Sequence, residues 1–98
     1  MRDYEVTVIV QPTLEDAQRN LLIERVTNWL KDATDGQADS LKASHWGQRQ
    51  MAYEINRHKE GYYLFYEAKL DPAKLNDIEK NVRYNEDIIR YLFVRKEA

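Results

Sequence analysis

Residues 51–68, Met51-Ala52-Tyr53-Glu54-Ile55-Asn56-Arg57-His58-Lys59-Glu60-Gly61-Tyr62-Tyr63-Leu64-Phe65-Tyr66-Glu67-Ala68, read as strand, turn, strand. Met51 to Ile55 is the first arm, Asn56 to Gly61 is a polar turn, and Tyr62 to Ala68 is a strand dense in aromatics, which strands accommodate well. The second arm is apolar on both parities, so its periodicity leaves open which face meets a core. The first arm extends upstream as one long, weakly apolar strand over residues 39–56. Gly47 within it suggests a bulge or bend.

On either side of this hairpin lies a helix, and beyond each helix a strand. Tyr4 to Val10 has strand composition, with Tyr4, Val6, Val8 and Val10 on one face, and Gln11-Pro12 stops it. Thr13 followed by Leu14-Glu15-Asp16 resembles a capping box, with an acidic side chain three positions on. Leu14, Ala17, Leu21, Leu22, Val26, Trp29, Leu30 and Ala33 then recur at helical spacing as one apolar stripe, to be ended by Asp35-Gly36. Downstream, Asp71-Pro72 is a second helix start, with Asp71 as cap and Pro72 where a missing N–H costs nothing. Leu75, Ile78 and Val82 form its shorter stripe, and Ile88 to Val94 is a final strand. The order β-α-β-β-α-β predicts an α+β, ferredoxin-like domain over residues 1–98. Two right-handed crossovers around one hairpin give a four-stranded antiparallel sheet with both helices on one face.

The chain has 98 residues and no cysteine, so it is expected to hold one modest core without disulfides or thiolate metal sites. Asp3 and Glu5 interrupt any apolar run after Met1-Arg2, so no signal peptide is expected. No stretch approaches the roughly 20 apolar residues of a membrane span. The net charge of −2 argues against gripping nucleic acid by charge alone. The charge is uneven, however. Residues 1–36 carry four basic and seven acidic side chains. Residues 37–59 carry Lys42, Arg49, Arg57 and Lys59 against Asp39 and Glu54, with His45 and His58 besides. The middle of the chain is the place to seek a polyanion.

Catalytic chemistry finds no foothold. His45 and His58 lie thirteen residues apart without metal-motif spacing, and packing or solvation explains them better. Glu15-Asp16 and Glu86-Asp87 sit at helix or strand starts, where capping explains them. Ser40 and Ser44 have no nearby base. An acylphosphatase-like enzyme would need a glycine-rich phosphate loop after the first strand, and Gln11-Pro12-Thr13 contains no glycine and lacks one N–H. An RNA-recognition motif would place stacking aromatics on the third strand. Lys59 to Tyr66 approaches that signature, but Tyr63 replaces the inner glycine and puts the aromatics out of phase. No catalytic residue, metal site, cofactor or small-molecule substrate is expected.

Three stretches resemble the bacterial small-subunit ribosomal protein six family: Met1-Arg2-Asp3-Tyr4-Glu5-Val6, Gly61-Tyr62-Tyr63, and above all Trp46-Gly47-Gln48-Arg49-Gln50-Met51-Ala52-Tyr53-Glu54-Ile55. The resemblance extends over about residues 2 to 96. It implies a cytoplasmic, ribosomal, non-enzymatic protein that pairs as a heterodimer with ribosomal protein eighteen. The pair would bind the central domain of small-subunit ribosomal RNA, the partner supplying much of the positive charge. Asp3 stands where relatives often carry a basic residue, and the sequence stops at Ala98 without the acidic tail of some relatives. On this reading Arg2, Arg49, Arg57, Lys59, Arg83 and Arg90 are candidate phosphate or sugar contacts, aided by Tyr53 and His58 near the hairpin. The competing reading is a ferredoxin-like regulatory or small-ligand domain whose uncovered aromatic face forms a dimer or ligand pocket.

Overall fold

Alternating valines start the sheet. In the computed structural model, which describes residues 2–55 and 57–96, β1 runs Arg2–Val10 and buries Tyr4, Val6, Val8 and Val10 on one face. Then follow α1 (Asp16–Ala33), β2 (Lys42–Ala43), β3 (Gly47–Ile55), β4 (His58–Leu70), α2 (Leu75–Arg83) and β5 (Ile88–Arg95). Met1, Asn56 of the expected turn, and the terminal Glu97 and Ala98 lie outside the described residues.

The sheet order is β2-β4-β1-β5, all neighbours antiparallel, with β3 also pairing with β4. β2 meets Tyr66 and Glu67, while β3 meets β4 nearer its start, from Glu60 to Tyr63. β2 and β3 therefore share one position beside β4, and the architecture is the expected four-position ferredoxin-like sheet. The expectation of one strand over residues 39–56 needs correction. Residues 38–40 form a helical turn, and the strand breaks over Ser44–Trp46. Across the break the ladder is kept in altered form. Ser44 and Trp46 donate their N–H groups to the Phe65 and Tyr63 carbonyls at 2.8 and 3.0 Å. The Phe65 N–H donates instead to His45 Nδ1 at 3.3 Å. Gly47, at φ +76°, takes the left-handed turn that returns the chain to the sheet.

Both helices cover the face carrying the even-numbered residues of β1 and β4. Leu22, Val26, Leu30 and Ala33 of α1 and Ile78 and Val82 of α2 meet Val6, Val8, Val10, Leu64, Tyr66 and Leu70 there. Tyr66 is fully buried, yet its hydroxyl reaches Thr27 Oγ1 at 2.8 Å, and Thr27 in turn donates to the Ile23 carbonyl at 2.7 Å. The α1 stripe is narrower than its sequence suggests, since Leu21 is largely exposed. The capping box at Thr13 is not formed. Thr13 turns back to the Gln11 side chain, and Glu15 precedes the helix without a side-chain cap. The second start behaves as expected: Asp71 Oδ1 accepts the Ala73 N–H at 3.0 Å, and a short helical turn at Pro72–Lys74 leads into α2. After α1, Asp35 and Gly36 at φ 51° and 89° reverse the chain.

Candidate nucleic-acid interface

The face away from the helices carries the odd-numbered residues of β1 and β4, and the two ends of that face differ. At one end Glu5 lies directly opposite Glu67. Two carboxylates in register across strands repel, and Lys96 relieves them, its Nζ 2.9 Å from Glu67 and 3.8 Å from Glu5. The same carboxylates, Glu67 foremost, hold the Lys96 pKa above its ordinary value. At the other end the face is aromatic and cationic.

Gly61 creates that second end. β1 finishes with Val10 opposite Tyr62, so β4 begins where β1 has stopped covering it. A Cβ on Gly61 would collide with Cγ2 of Ile9, so glycine leaves room there for the Ile9 side chain. Beyond this point the pairing of β3 with β4 is irregular between Gln50 and Ile55. The hairpin arm made by the end of β3 and the start of β4 bends over the outer face. Met51 becomes buried, and Tyr53 reaches β5 across the sheet. A cleft of about 260 Å³ lies beneath the arm, lined among others by Ile9, Met51, Ile55, Tyr63 and Leu92.

Two arginine–aromatic pairs mark this end. The Arg49 guanidinium lies 5.7 Å from the Trp46 ring centre, and its Nε donates to the Trp46 carbonyl at 3.3 Å. The Arg90 guanidinium lies 5.6 Å from the Tyr53 ring and donates to the Tyr53 hydroxyl. Such pairs hold a guanidinium in place while leaving N–H donors free for phosphate oxygens. Arg57, at φ 69° in the hairpin turn, and Lys59 are exposed at the tip. His58 is half-buried opposite Ile55.

The structure thus brings Arg49, Tyr53, Arg57, His58, Lys59 and Arg90 onto one arm and the adjoining sheet face. It leaves two candidates apart. Arg2 starts β1 opposite Leu70, at the far end of the sheet. Arg83 ends α2 on the helix side, where the Tyr91 hydroxyl holds its guanidinium pKa above the ordinary value. Trp46 was not among the candidates read from the sequence, yet the structure sets it on this surface. It is 44% exposed and stacks over Phe65 and Tyr63, with ring centres 5.1 and 6.0 Å apart. The available signal was a large aromatic beside a glycine in an otherwise polar stretch. His45, edge-on to Tyr66 at 5.0 Å, has its pKa lowered by burial and serves the ladder.

Among the described residues no group of three or more His, Cys, Asp or Glu side chains could hold a metal ion. No helix among the described residues is long and apolar enough to cross a membrane. The surface can stack on planar groups and donate hydrogen bonds to anions.

Comparison with known proteins agrees with this architecture. The family described as Ribosomal protein S6 matches residues 3–95. The small ribosomal subunit protein bS6 of Moorella thermoacetica is 35% identical over 97 residues, covering 99% of this chain and 96% of that protein. The crystal structure of 30S ribosomal protein S6 from Thermotoga maritima superposes with a TM-score of 0.85 at 28% identity, covering 97% of this chain and 87% of that one.

Proposed function

This chain belongs to the ribosomal protein S6 family, and from that premise we propose that its hairpin arm and adjoining sheet face bind the central domain of small-subunit ribosomal RNA, as one half of a heterodimer with ribosomal protein eighteen. Membership makes it a structural, non-enzymatic component of the small subunit, working in the cytoplasmic ribosome. The observation that carries the RNA reading is the convergence of Arg49, Arg57, Lys59 and Arg90 with Tyr53 and His58 on the arm and the adjoining sheet face. These residues come from three strands and from the turn, and nothing in the core requires them. Guanidinium forks suit phosphate oxygens, and each phosphate neutralised releases counterions and makes binding salt-dependent.

A chain of net charge −2 with four clustered cations is a weak solitary binder of a polyanion. That is the argument for a basic partner, and the carboxylates at the far end of the same face are suited to receive one. Arg2 and Arg83 sit off this surface, and the proposal does not depend on them.

The test is a binding titration of central-domain RNA at stated salt, with and without ribosomal protein eighteen. Tight binding is expected only from the pair. Arg49→Ala and Arg57→Ala should each weaken the pair's binding by about 1 kcal/mol or more, without shifting the unfolding midpoint of the free protein. Equal affinity with and without the partner would overturn the heterodimer reading, and unaltered affinity of both variants would remove the arm from the interface.

A further inference from the structure

Trp46 is a large aromatic side chain that the core does not use. It lies outside the buried cluster formed by the helices and the inner sheet face, and 44% of its surface is exposed. Its ring is held in place by neighbours. The Trp46 N–H is tied to the Tyr63 carbonyl at 3.0 Å, and the indole lies nearly parallel to Phe65 and Tyr63, at interplanar angles of 14° and 20°. The Arg49 guanidinium also lies over the indole, 5.7 Å from the ring centre and tethered by a 3.3 Å hydrogen bond to the carbonyl of Trp46 itself. A bond of that length to an exposed carbonyl is readily exchanged for water or a phosphate.

We propose that the Trp46 indole is a stacking platform for one unpaired nucleobase of the RNA, with Arg49 as a movable cover that turns to an adjoining phosphate when the base arrives. This rests on the RNA-binding reading above and adds to it a base contact that phosphate-directed arginines do not supply. Charge selects the occupant. Arg49 and Arg90 share this face, and among the described residues neither is ion-paired with a carboxylate. They repel a basic protein segment and attract a polyphosphate chain. Planarity points the same way, since an aromatic ring held flat and backed by two others is already ordered for a planar ligand. Covering Phe65 and Tyr63 from water would need only an apolar side chain of similar size, and that separates the two roles experimentally.

The test uses the complete chain paired with ribosomal protein eighteen and a central-domain RNA transcript, at two salt concentrations. Trp46→Leu keeps an apolar cover but has no π face, and it should weaken binding about 5- to 100-fold. Trp46→Phe should stay within about 3-fold of wild type. The loss in Trp46→Leu should be the same at both salts, whereas Arg49→Gln should flatten the salt dependence by about one phosphate contact. The chain has two tryptophans, so in a Trp29→Phe background the change in emission relative to the Trp29→Phe/Trp46→Leu pair reports Trp46, and it should be quenched in step with RNA binding. Wild-type affinity in Trp46→Leu, or unchanged Trp46 emission at saturating RNA, would overturn the proposal while leaving the RNA-binding reading intact. A loss in Trp46→Leu seen equally in pairing with the protein partner, without RNA, would reassign Trp46 to protein docking. Failure of the wild-type pair to bind the transcript would remove the underlying reading and this one together.

Discussion

On the helix-side face of the sheet, Val6, Val8, Val10, Leu64 and Leu70 are at most 1% exposed, whereas Trp46, Tyr53 and Leu92 on the opposite side are 44%, 59% and 57% exposed. Both faces belong to the same pleated strands, and both are rich in large apolar side chains. The difference lies in what meets them. The inner face is filled by two helices, and its composition is governed by volume and dryness. The outer face is only partly filled, by a hairpin arm that brings cations with its aromatics. An antiparallel sheet can leave one face to water, but such faces are usually polar, and a partly covered aromatic face points to binding. Stability is therefore concentrated on one side of this sheet, and the proposed recognition on the other.

The largest expected effect falls on the inner face. Leu30, fully buried in the last turns of the α1 stripe, should cost about 2–5 kcal/mol when truncated in Leu30→Ala. Urea unfolding checks this, and the folded fraction of the variant should still bind RNA with its partner at wild-type affinity. A selective loss of RNA affinity would break the separation of the two faces.

Gly61 lies where the faces communicate. Gly61→Ala should cost about 1–3 kcal/mol through collision with the Ile9 side chain. Backbone conformation does not enter, because Gly61 does not have positive φ. The arm should be displaced with it, so this variant should lose both stability and RNA affinity. In an Ile9→Ala background the further cost of Gly61→Ala should shrink, a non-additivity that a double-mutant cycle reads directly.

Smaller effects sharpen the inner side. Tyr66→Phe removes the hydroxyl bonded to Thr27 and should lower stability by about 1 kcal/mol in urea unfolding, with RNA binding unaffected. His45 gives the smallest effect. Its partial burial places the imidazole pKa below the ordinary value of 6.5. As the pH falls through 6.5 the unfolded chain takes up the proton before the folded chain does, so stability decreases in that window. Between pH 7 and 6, where carboxylates scarcely titrate, the urea midpoint should fall slightly more in wild type than in His45→Gln.

The separation of faces was only half legible in the sequence. The valines of β1 alternate, so their buried face could be assigned directly. Tyr62 to Tyr66 is apolar at every position, and no local rule distinguishes Tyr63 and Phe65, which face outward, from Leu64 and Tyr66, which face the helices. The arginines of the middle segment were recognisable as candidates. Their grouping was not, because Tyr53 and Arg90 are separated by 37 positions and meet only when the arm folds over β1. Arg2 and Arg83 carry the same chemistry, yet the fold sends them elsewhere.

Composition, periodicity and capping residues determined the order of elements, the two helical stripes, the Asp71 start and the absence of a catalytic constellation, since these depend on neighbours within a few positions along the chain. Tertiary structure decided which parity of β4 is core, that residues 39–56 divide at Ser44–Trp46, and that the hairpin pairing becomes irregular between Gln50 and Ile55. Those outcomes depend on which surfaces meet across the sheet, and a side chain's partner there is chosen by packing between segments far apart in sequence.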